Sequence, residues 1–147
     1  MKTGYIDARP DIESGILKSF SLNKSKKIIL LGSSYSASLA LLVGTNTQYS
    51  KMISSILAFS PGEYLKGISL LTELKNLSIP IFLTSSKKES SDLVTLCDSI
   101  PKKYKTIFKP VTEGFHGSRV LHHKTPDCKN YWEAVKQFLD TFHHSNY

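Results

Sequence analysis

The stretch IILLGSSYSA, residues 28–37, decides the fold. Its four leading apolar residues run without interruption to Gly32, and small residues then lead into a second apolar stretch, SASLALLV at 36–43. A short apolar run that ends at a glycine is typical of a strand buried on both faces, as in a parallel sheet. The second stretch predicts a buried helix closed by Gly44. The segment therefore predicts a strand that turns directly into a helix.

The same alternation continues on both sides of this segment. Further apolar runs lie at residues 53–59 (ISSILAF), 79–83 (IPIFL) and 106–111 (TIFKPV). Helical faces are formed by Ile12, Ile16, Leu17 and Phe20 after Pro10; by residues 68–77; by Leu93, Leu96, Cys97 and Ile100 before Pro101; and by Trp132, Val135, Phe138, Leu139 and Phe142. Strands that alternate with helices predict a three-layer α/β/α fold with a mostly parallel sheet of about four strands. Residues 1–147 are expected to form a single domain.

The composition excludes several classes of protein. The 147 residues include 19 Lys and Arg against 12 Asp and Glu, a net charge of +7. The lysines are scattered around the predicted strands, as solvated loop residues are, so we expect no nucleic-acid partner. No apolar run has the length of a membrane helix, and no secretory signal is visible, which favours a cytoplasmic location. Two cysteines, of which Cys97 lies in a core pattern, give no disulfide framework.

The turn at Gly32 carries a pattern with catalytic meaning. The residues G-x-S-x-S are close to the nucleophile elbow G-x-S-x-G, in which a sharp turn lifts one serine above the sheet. Ser34 would be the nucleophile, and the backbone N–H of Tyr35 would be one donor to an oxyanion. Two other interpretations stay open at this point: a turn that needs small residues only for packing, and a turn that binds phosphate at the helix N-terminus.

A serine nucleophile needs a base and an acid, here in the chain order serine, acid, histidine. His116 follows the fourth apolar run on a glycine-flanked loop, which would carry its ring to the same end of the sheet as Ser34. The acid should follow the third run, where Glu89 and Asp92 lie. We favour Glu89 over Asp92, although either carboxylate could instead cap the helix that follows.

A metal site is the competing interpretation of the histidine-rich segment. His116, His122, His123 and Cys128 lie close together in sequence, but no pair of them has the spacing of a known zinc signature. The G-x-G-x-x-G and phosphate-loop lysine patterns of nucleotide-binding proteins are missing as well. We therefore expect neither a metal nor an organic cofactor.

Taken together, these blocks resemble the C-terminal half of an α/β-hydrolase of the dienelactone hydrolase-like kind. The resemblance rests on IILLGSSYSASLAL for the elbow, SSILAFSPGEY for the next strand, IPIFLTSSKKE for the acid strand and TEGFHGSRVL for the histidine loop. It implies a serine hydrolase that acts on small-molecule esters through Ser34, Glu89 and His116. Ser36 stands where glycine is usual, and Glu89 stands where aspartate is commoner.

The family fold has eight strands, and its elbow follows the fifth. Only 27 residues precede Ile28, so the resemblance implies that the first four strands, and the loop that gives the second oxyanion donor, have no counterpart. Loss of one such donor lowers turnover by roughly 10²–10³ in a known case. The strand from Ile28 to Leu31 is then expected to be an open sheet edge, available for self-association or a partner. The alternative to an esterase is thus a non-catalytic remnant that acts as an interaction module or needs a partner chain.

Overall fold

The computed structural model describes residues 4–143 and contains one parallel sheet. Its strands are β1 (Ile28–Ser33), β2 (Ile53–Phe59), β3 (Ile81–Thr84) and β4 (Lys105–Phe108), which neighbour one another in chain order. The helices are α1 (Arg9–Leu22), α2 (Tyr35–Thr45), α3 (Thr47–Ser50), α4 (Leu70–Glu73), α5 (Ser90–Asp98) and α6 (Cys128–His143). Five 3-10 turns lie at Tyr5–Ala8, Leu74–Asn76, Lys87–Glu89, Lys102–Tyr104 and Gly117–Leu121.

Helices cover the two faces of the sheet unequally. The larger core lies on one face, where α1, α2, α4 and α5 pack against alternate strand residues such as Ile56 and Ile81. The smaller core lies on the other face, where α6 packs against Leu57, Phe59 and Phe82. This arrangement is the three-layer α/β/α fold that the alternation of strands and helices predicts.

The predicted strand ends shift where proline enters the sequence. The run at 79–83 forms a strand only from Ile81, although the carbonyl of Pro80 still accepts the backbone N–H of Ile56 at 3.0 Å. The run at 106–111 pairs from Lys105 to Phe108 and ends before Pro110. Proline has no backbone N–H to donate, so a strand tends to begin after it or end before it.

The prediction that Gly44 closes the second helix is wrong, because α2 runs through it to Thr45. A Cβ atom at Gly44 would lie 2.6 Å from Cδ1 of Ile56 and 3.2 Å from Cδ1 of Ile79. Gly44 therefore brings the helix close to the sheet rather than ending it. The segment 68–77 is also less regular than a single helix, since α4 is followed by the 3-10 turn at Leu74–Asn76.

The buried face of α6 differs slightly from the predicted one. Tyr131 is fully buried together with Val135 and Phe138, whereas Trp132 is 44% exposed. The indole of Trp132 donates to the carbonyl of Leu121 at 2.9 Å, so it packs beside the histidine loop rather than in the core. The side chain of Phe142, also assigned to that face, lies outside the described residues.

β1 is one of the two edge strands of the sheet, as expected from the family resemblance. Its inner edge pairs with β2 from Ile28 to Ser33, and within the described residues no strand pairs with its outer edge. Ile29 and Leu31 are each 50% exposed, because α6 does not extend across the sheet to cover them. Among the helices described, none has the length and apolar character needed to cross a membrane.

Candidate active site

Ser34 occupies a strained backbone conformation between β1 and α2. Its φ of 59° and ψ of −131° lie outside the regions that side-chain-bearing residues adopt readily. The backbone N–H of Ser34 donates to the carbonyl of Phe59 at 2.8 Å, which fixes the turn to the end of β2. Ser34 is the N-cap residue of α2, yet its side chain makes no capping hydrogen bond. A strained turn from strand to helix is what the G-x-S-x-S pattern predicts at this position.

Close backbone packing explains why small residues flank this turn. A Cβ atom at Gly32 would lie 2.5 Å from both Cα of Ala37 and the carbonyl oxygen of Ser36, so only glycine fits there. The hydroxyl of Ser36 accepts the backbone N–H of Ser33 at 2.9 Å and donates to its carbonyl at 2.7 Å. The hydroxyl of Ser36 therefore holds the turn together.

Glu89 and His116 are brought together by the loops after β3 and β4. Oε1 of Glu89 is in hydrogen-bond contact with Nδ1 of His116. Oε2 of Glu89 accepts hydrogen bonds from the hydroxyl of Ser60 at 2.9 Å and from the hydroxyl and backbone N–H of Ser86 at 2.7 and 3.1 Å. Both carboxylate oxygens are thus held, and one of them is aimed at the imidazole.

Glu89 has a second, local role at the start of the helical segment that follows β3. Ser86 and Glu89 form a capping box around the 3-10 turn Lys87–Glu89, in which the longer carboxylate reaches back to the N–H of Ser86. Capping boxes take glutamate or glutamine at this position because the side chain must span the turn. The cap and the contact with His116 are therefore made by the same side chain.

The surroundings of Glu89 favour its charged form. Burial alone would raise the pKa of the carboxyl group, but hydrogen bonds from Ser86, His116 and Ser60 hold the pKa below its ordinary value. Burial raises the pKa of the nearby Tyr64 phenol, and the negative charges of Glu89 and Asp92 raise it further. Glu89 is consequently a carboxylate at neutral pH.

The histidine loop is fastened to the ends of β1 and β2 by two serine hydroxyls. The backbone N–H of Ser118 donates to Oγ of Ser33 at 2.8 Å, and that of Gly117 donates to Oγ of Ser60 at 2.9 Å. Gly117 has a φ of +69°, and a Cβ atom there would lie 2.4 Å from Oγ of Ser33. Glycine is therefore required at the residue that follows His116.

These contacts place the loop that carries His116 against the elbow that carries Ser34. A Cβ atom at Gly117 would lie 3.9 Å from the backbone nitrogen of Ser34. Within residues 4–143 no hydrogen bond joins the Ser34 hydroxyl to the His116 ring. Such bonds are often long before substrate binds. Tyr35 is the first residue of α2, so its N–H has no acceptor within the helix.

The remaining candidates lie apart from this contact. Asp92 is exposed in the first turn of α5, and its carboxylate is not among the described partners of His116. The rings of His122 and His123 contact each other at a centroid distance of 4.4 Å, with their planes tilted by 35°. In the described part of the chain, no group of three or more histidine, cysteine or acidic residues is arranged to hold a metal ion. Cys97 is buried and Cys128 half-buried, and both are free thiols.

Three serines in this network were not singled out from the sequence. Ser33 ends β1, Ser60 follows β2 directly, and Ser86 lies two residues after β3. Their signal is positional, because the carboxyl ends of parallel strands meet at one edge of the sheet, where binding sites collect. A serine directly after a buried strand is therefore a candidate member of such a site.

One cavity borders Glu89, and a second lies along the loop that carries His116. One, of about 310 Å³, lies beside Glu89 between the 61–64 loop, α4 and α5, and Tyr64, Asp92 and Leu96 contribute to its wall. The other, of about 660 Å³, lies beside the histidine loop and is lined by residues that include Phe115 and Ser118. Volumes of this order suit small molecules rather than polymers.

Comparison with known proteins gives structural neighbours but no sequence relatives. No protein-family model matches the sequence, and no curated protein matches it either. The esterase Pf2001 of Pyrococcus furiosus in space group P21 is similar in structure, with a TM-score of 0.72 and 20% identity over 95% of this chain. Its structure in space group P212121 gives a TM-score of 0.58 and 17% identity over 92% of this chain. The chain spans 64% and 61% of those two chains. Its fold is accordingly esterase-like, a three-layer α/β/α arrangement with four parallel strands.

Proposed function

We propose that the chain is a serine hydrolase of the dienelactone hydrolase-like type that acts on small-molecule esters. Ser34 is the nucleophile, His116 the general base and Glu89 the acid that orients the imidazole. The observation that carries the proposal is the contact between Glu89 and Nδ1 of His116, on a loop that is fastened beside the elbow. A phosphate-binding turn would not need this pair of side chains.

The arrangement supports a two-step acyl transfer. Because Glu89 binds Nδ1 of His116, Nε2 is the ring nitrogen that acts as the base. It takes the hydroxyl proton of Ser34 as Oγ of Ser34 attacks the ester carbonyl carbon. The N–H of Tyr35 donates to the oxyanion that forms. When the carbon–oxygen bond of the ester breaks, the proton passes from Nε2 to the departing alcohol. Water then repeats the sequence on the acyl–Ser34 ester and releases the carboxylic acid.

Covalent labelling with a fluorophosphonate, followed by fragmentation mass spectrometry, tests the proposal. The reagent forms a phosphonyl–serine bond and loses fluoride only where a serine is activated. We expect one adduct, on Ser34, which is lost in Ser34→Ala and in His116→Ala. Ser91→Ala, at an exposed serine of α5, is the matched control and should label like the unaltered chain.

Hydrolysis of p-nitrophenyl acetate completes the test. Turnover should disappear in Ser34→Ala while the circular dichroism spectrum stays unchanged. Equal turnover in Ser34→Ala and the unaltered chain would rule out the proposed nucleophile. A folded chain that neither labels nor hydrolyses the ester would contradict catalysis by this chain.

The open edge of β1 favours a second candidate function, that of an interaction module. Ile29 and Leu31 are half exposed on a sheet face that α6 leaves uncovered, beside an edge of unpaired backbone groups. An apolar edge of this kind is a template for another strand. We propose a second copy of the chain as the occupant, because an edge that pairs with its own copy closes a two-fold dimer.

Sedimentation at increasing protein concentration tests this pairing. We expect a dimer that Leu31→Lys converts to monomer, because the substitution places a charge in the apolar patch. Val111→Lys adds the same charge at an 82% exposed apolar residue after β4, and should leave the dimer intact. A monomer at every concentration would contradict self-association.

A further inference from the structure

Ser60 occupies an unusual position for a serine at the end of a strand. It follows β2 directly, it is 1% exposed, and its φ is 52°. Positive φ is uncommon for residues other than glycine, because the Cβ atom crowds the backbone there. Its backbone N–H donates to the carbonyl of Thr84 at 2.7 Å, which fixes it against the end of β3. The strain at Ser60 therefore needs a reason beyond its own turn.

The hydroxyl of Ser60 joins the Glu89 side chain to the backbone of the loop that carries His116. It donates to Oε2 of Glu89 at 2.9 Å and accepts the backbone N–H of Gly117 at 2.9 Å. The direction of both bonds is fixed, because a carboxylate can only accept and a backbone N–H can only donate. Since Gly117 follows His116, a closed ring runs from Ser60 through Glu89 and His116 back to Ser60.

We infer that Ser60 is a positioning residue that sets the distance and orientation between Glu89 and His116. A single hydroxyl bonds the Glu89 carboxylate and the backbone N–H of Gly117, the residue that follows His116. Neither group can therefore move without straining its hydrogen bond to Ser60. The lowered pKa of Glu89, to which the hydrogen bond from Ser60 contributes, agrees with this constraint. The inference rests on the proposed hydrolase function for its effect on turnover, but the geometric constraint does not depend on activity.

Ser33, at the end of β1, provides a matched comparison because its hydroxyl holds the same loop. Its hydroxyl also accepts a backbone N–H from the histidine loop, that of Ser118 at 2.8 Å, but Glu89 is not among its described partners. Ser33→Ala thus removes an anchor of the loop and spares the bridge to the carboxylate. Any effect that is specific to Ser60 must come from that bridge.

The test uses two substitutions of Ser60. Ser60→Gly removes the hydroxyl and is compatible with the positive φ, so the turn should be kept. Ser60→Cys keeps the shape of the side chain with a slightly larger atom that is a much weaker donor, and it serves as the second variant if glycine perturbs the fold. Circular dichroism and thermal unfolding establish that each variant is folded before it is compared.

The first readout is the low-field proton NMR signal of an imidazole N–H that is bonded to a carboxylate. The unaltered chain should give such a signal from Nδ1–H of His116, and Glu89→Ala should abolish it. We expect the signal to be lost or broadened in both Ser60 variants and to be retained in Ser33→Ala. Retention in folded Ser60 variants, equal loss in Ser33→Ala, or absence from the unaltered chain would each overturn the inference.

The second readout is the hydrolysis of p-nitrophenyl acetate. We expect kcat to fall about 10- to 100-fold in the Ser60 variants, with KM within about twofold, because a misplaced base affects the chemical step. Ser33→Ala removes an anchor of the histidine loop but leaves the bridge to Glu89 intact, so it should lower kcat less than the Ser60 variants do. If the unaltered chain hydrolyses no ester, the proposed function fails, and the NMR comparison alone decides the role of Ser60.

Discussion

The hydroxyl of Ser33 accepts the backbone N–H of Ser118 at 2.8 Å, across 85 residues of sequence. This bond joins Ser33, the last residue of β1, to the loop that carries His116. Because Ser33 precedes the proposed nucleophile directly and Ser118 lies two residues after the proposed base, the contact explains how distant loops meet at one end of the sheet. Loops that follow parallel strands are placed together by the sheet rather than by their own conformations.

Replacement of Ser34 by glycine should stabilise the protein. The φ of 59° and ψ of −131° strain any residue with a Cβ atom, and glycine removes this strain. After allowance for the greater freedom of glycine in the unfolded chain, we expect a gain of about 1 kcal/mol, or roughly 2–4 °C in Tm. Thermal unfolding monitored by circular dichroism measures it.

Ser34→Ala is the control for that measurement. It removes the hydroxyl but keeps Cβ and the strain, so its Tm should stay near that of the unaltered chain. Both substitutions should abolish ester hydrolysis. A Tm for Ser34→Gly that is no higher than that for Ser34→Ala would contradict a strained elbow.

Replacement of Gly32 by alanine should destabilise the fold strongly. The new Cβ atom would meet backbone atoms of Ser36 and Ala37 at 2.5 Å, and backbone cannot move aside as a flexible side chain can. We expect a loss of about 2–3 kcal/mol, at the upper end for overpacked sites. Urea denaturation measures the change in the free energy of unfolding.

Gly15→Ala in α1 is the matched control, since a Cβ atom there meets nothing within 4 Å. It should raise the stability by up to about 1 kcal/mol through helix propensity. Similar losses in the two variants would show that glycine at position 32 is not required by close packing.

How much of this fold follows from sequence depends on whether a feature is set locally. Strand β2 matches its apolar run because both ends are marked by turn residues, whereas β3 and β4 are shifted by Pro80 and Pro110. The pairing of Glu89 with His116 follows from chain order, but the bridging role of Ser60 does not. A serine carries no local pattern for a bond to a residue 57 positions away.

Tertiary contacts also decide the positions of two helix residues that local sequence patterns misplace. Gly44 has the sequence signature of a helix end, yet it lies within α2 because the sheet approaches closely there. Trp132 has the hydropathy of a core residue, yet it turns outward to bond the carbonyl of Leu121. In both residues, a tertiary contact overrides the local preference.

Removal of the Tyr131 hydroxyl should stabilise the smaller core. That oxygen is buried, and among the described residues it has no hydrogen-bond partner. Burial raises the pKa of the phenol to about 12, with smaller contributions from the charges of Asp127 and Glu89. Tyr131→Phe removes the unsatisfied group and keeps the ring, which packs edge-on against Phe108 at 4.9 Å. We expect a gain of about 1 kcal/mol in the free energy of unfolding, measured with urea.

Tyr131→Leu distinguishes the hydroxyl from the ring. It also removes the oxygen, but it loses the aromatic contact and leaves a cavity, so we expect a loss of more than about 1 kcal/mol. If Tyr131→Phe were destabilising, the hydroxyl would have a partner in solution and the prediction would be wrong.

Replacement of Glu89 by glutamine should remove a pH-dependent part of the stability. Because the pKa of Glu89 is lower in the folded chain than in the unfolded one, the carboxylate stabilises the fold fully above its ordinary pKa of roughly 4.3. That contribution is lost as the pH falls through the lowered pKa of the folded state. We therefore expect the Tm of Glu89→Gln to be several degrees below that of the unaltered chain at pH 7. The gap should close as the pH falls below about 4.3, and thermal unfolding across this range measures it.

Glu133→Gln, at an exposed glutamate of α6, should change the stability by less than about 0.5 kcal/mol at every pH. A gap for Glu89→Gln that stays constant from pH 7 to pH 3 would mean that the carboxylate is not held in its charged form by Ser86, His116 and Ser60.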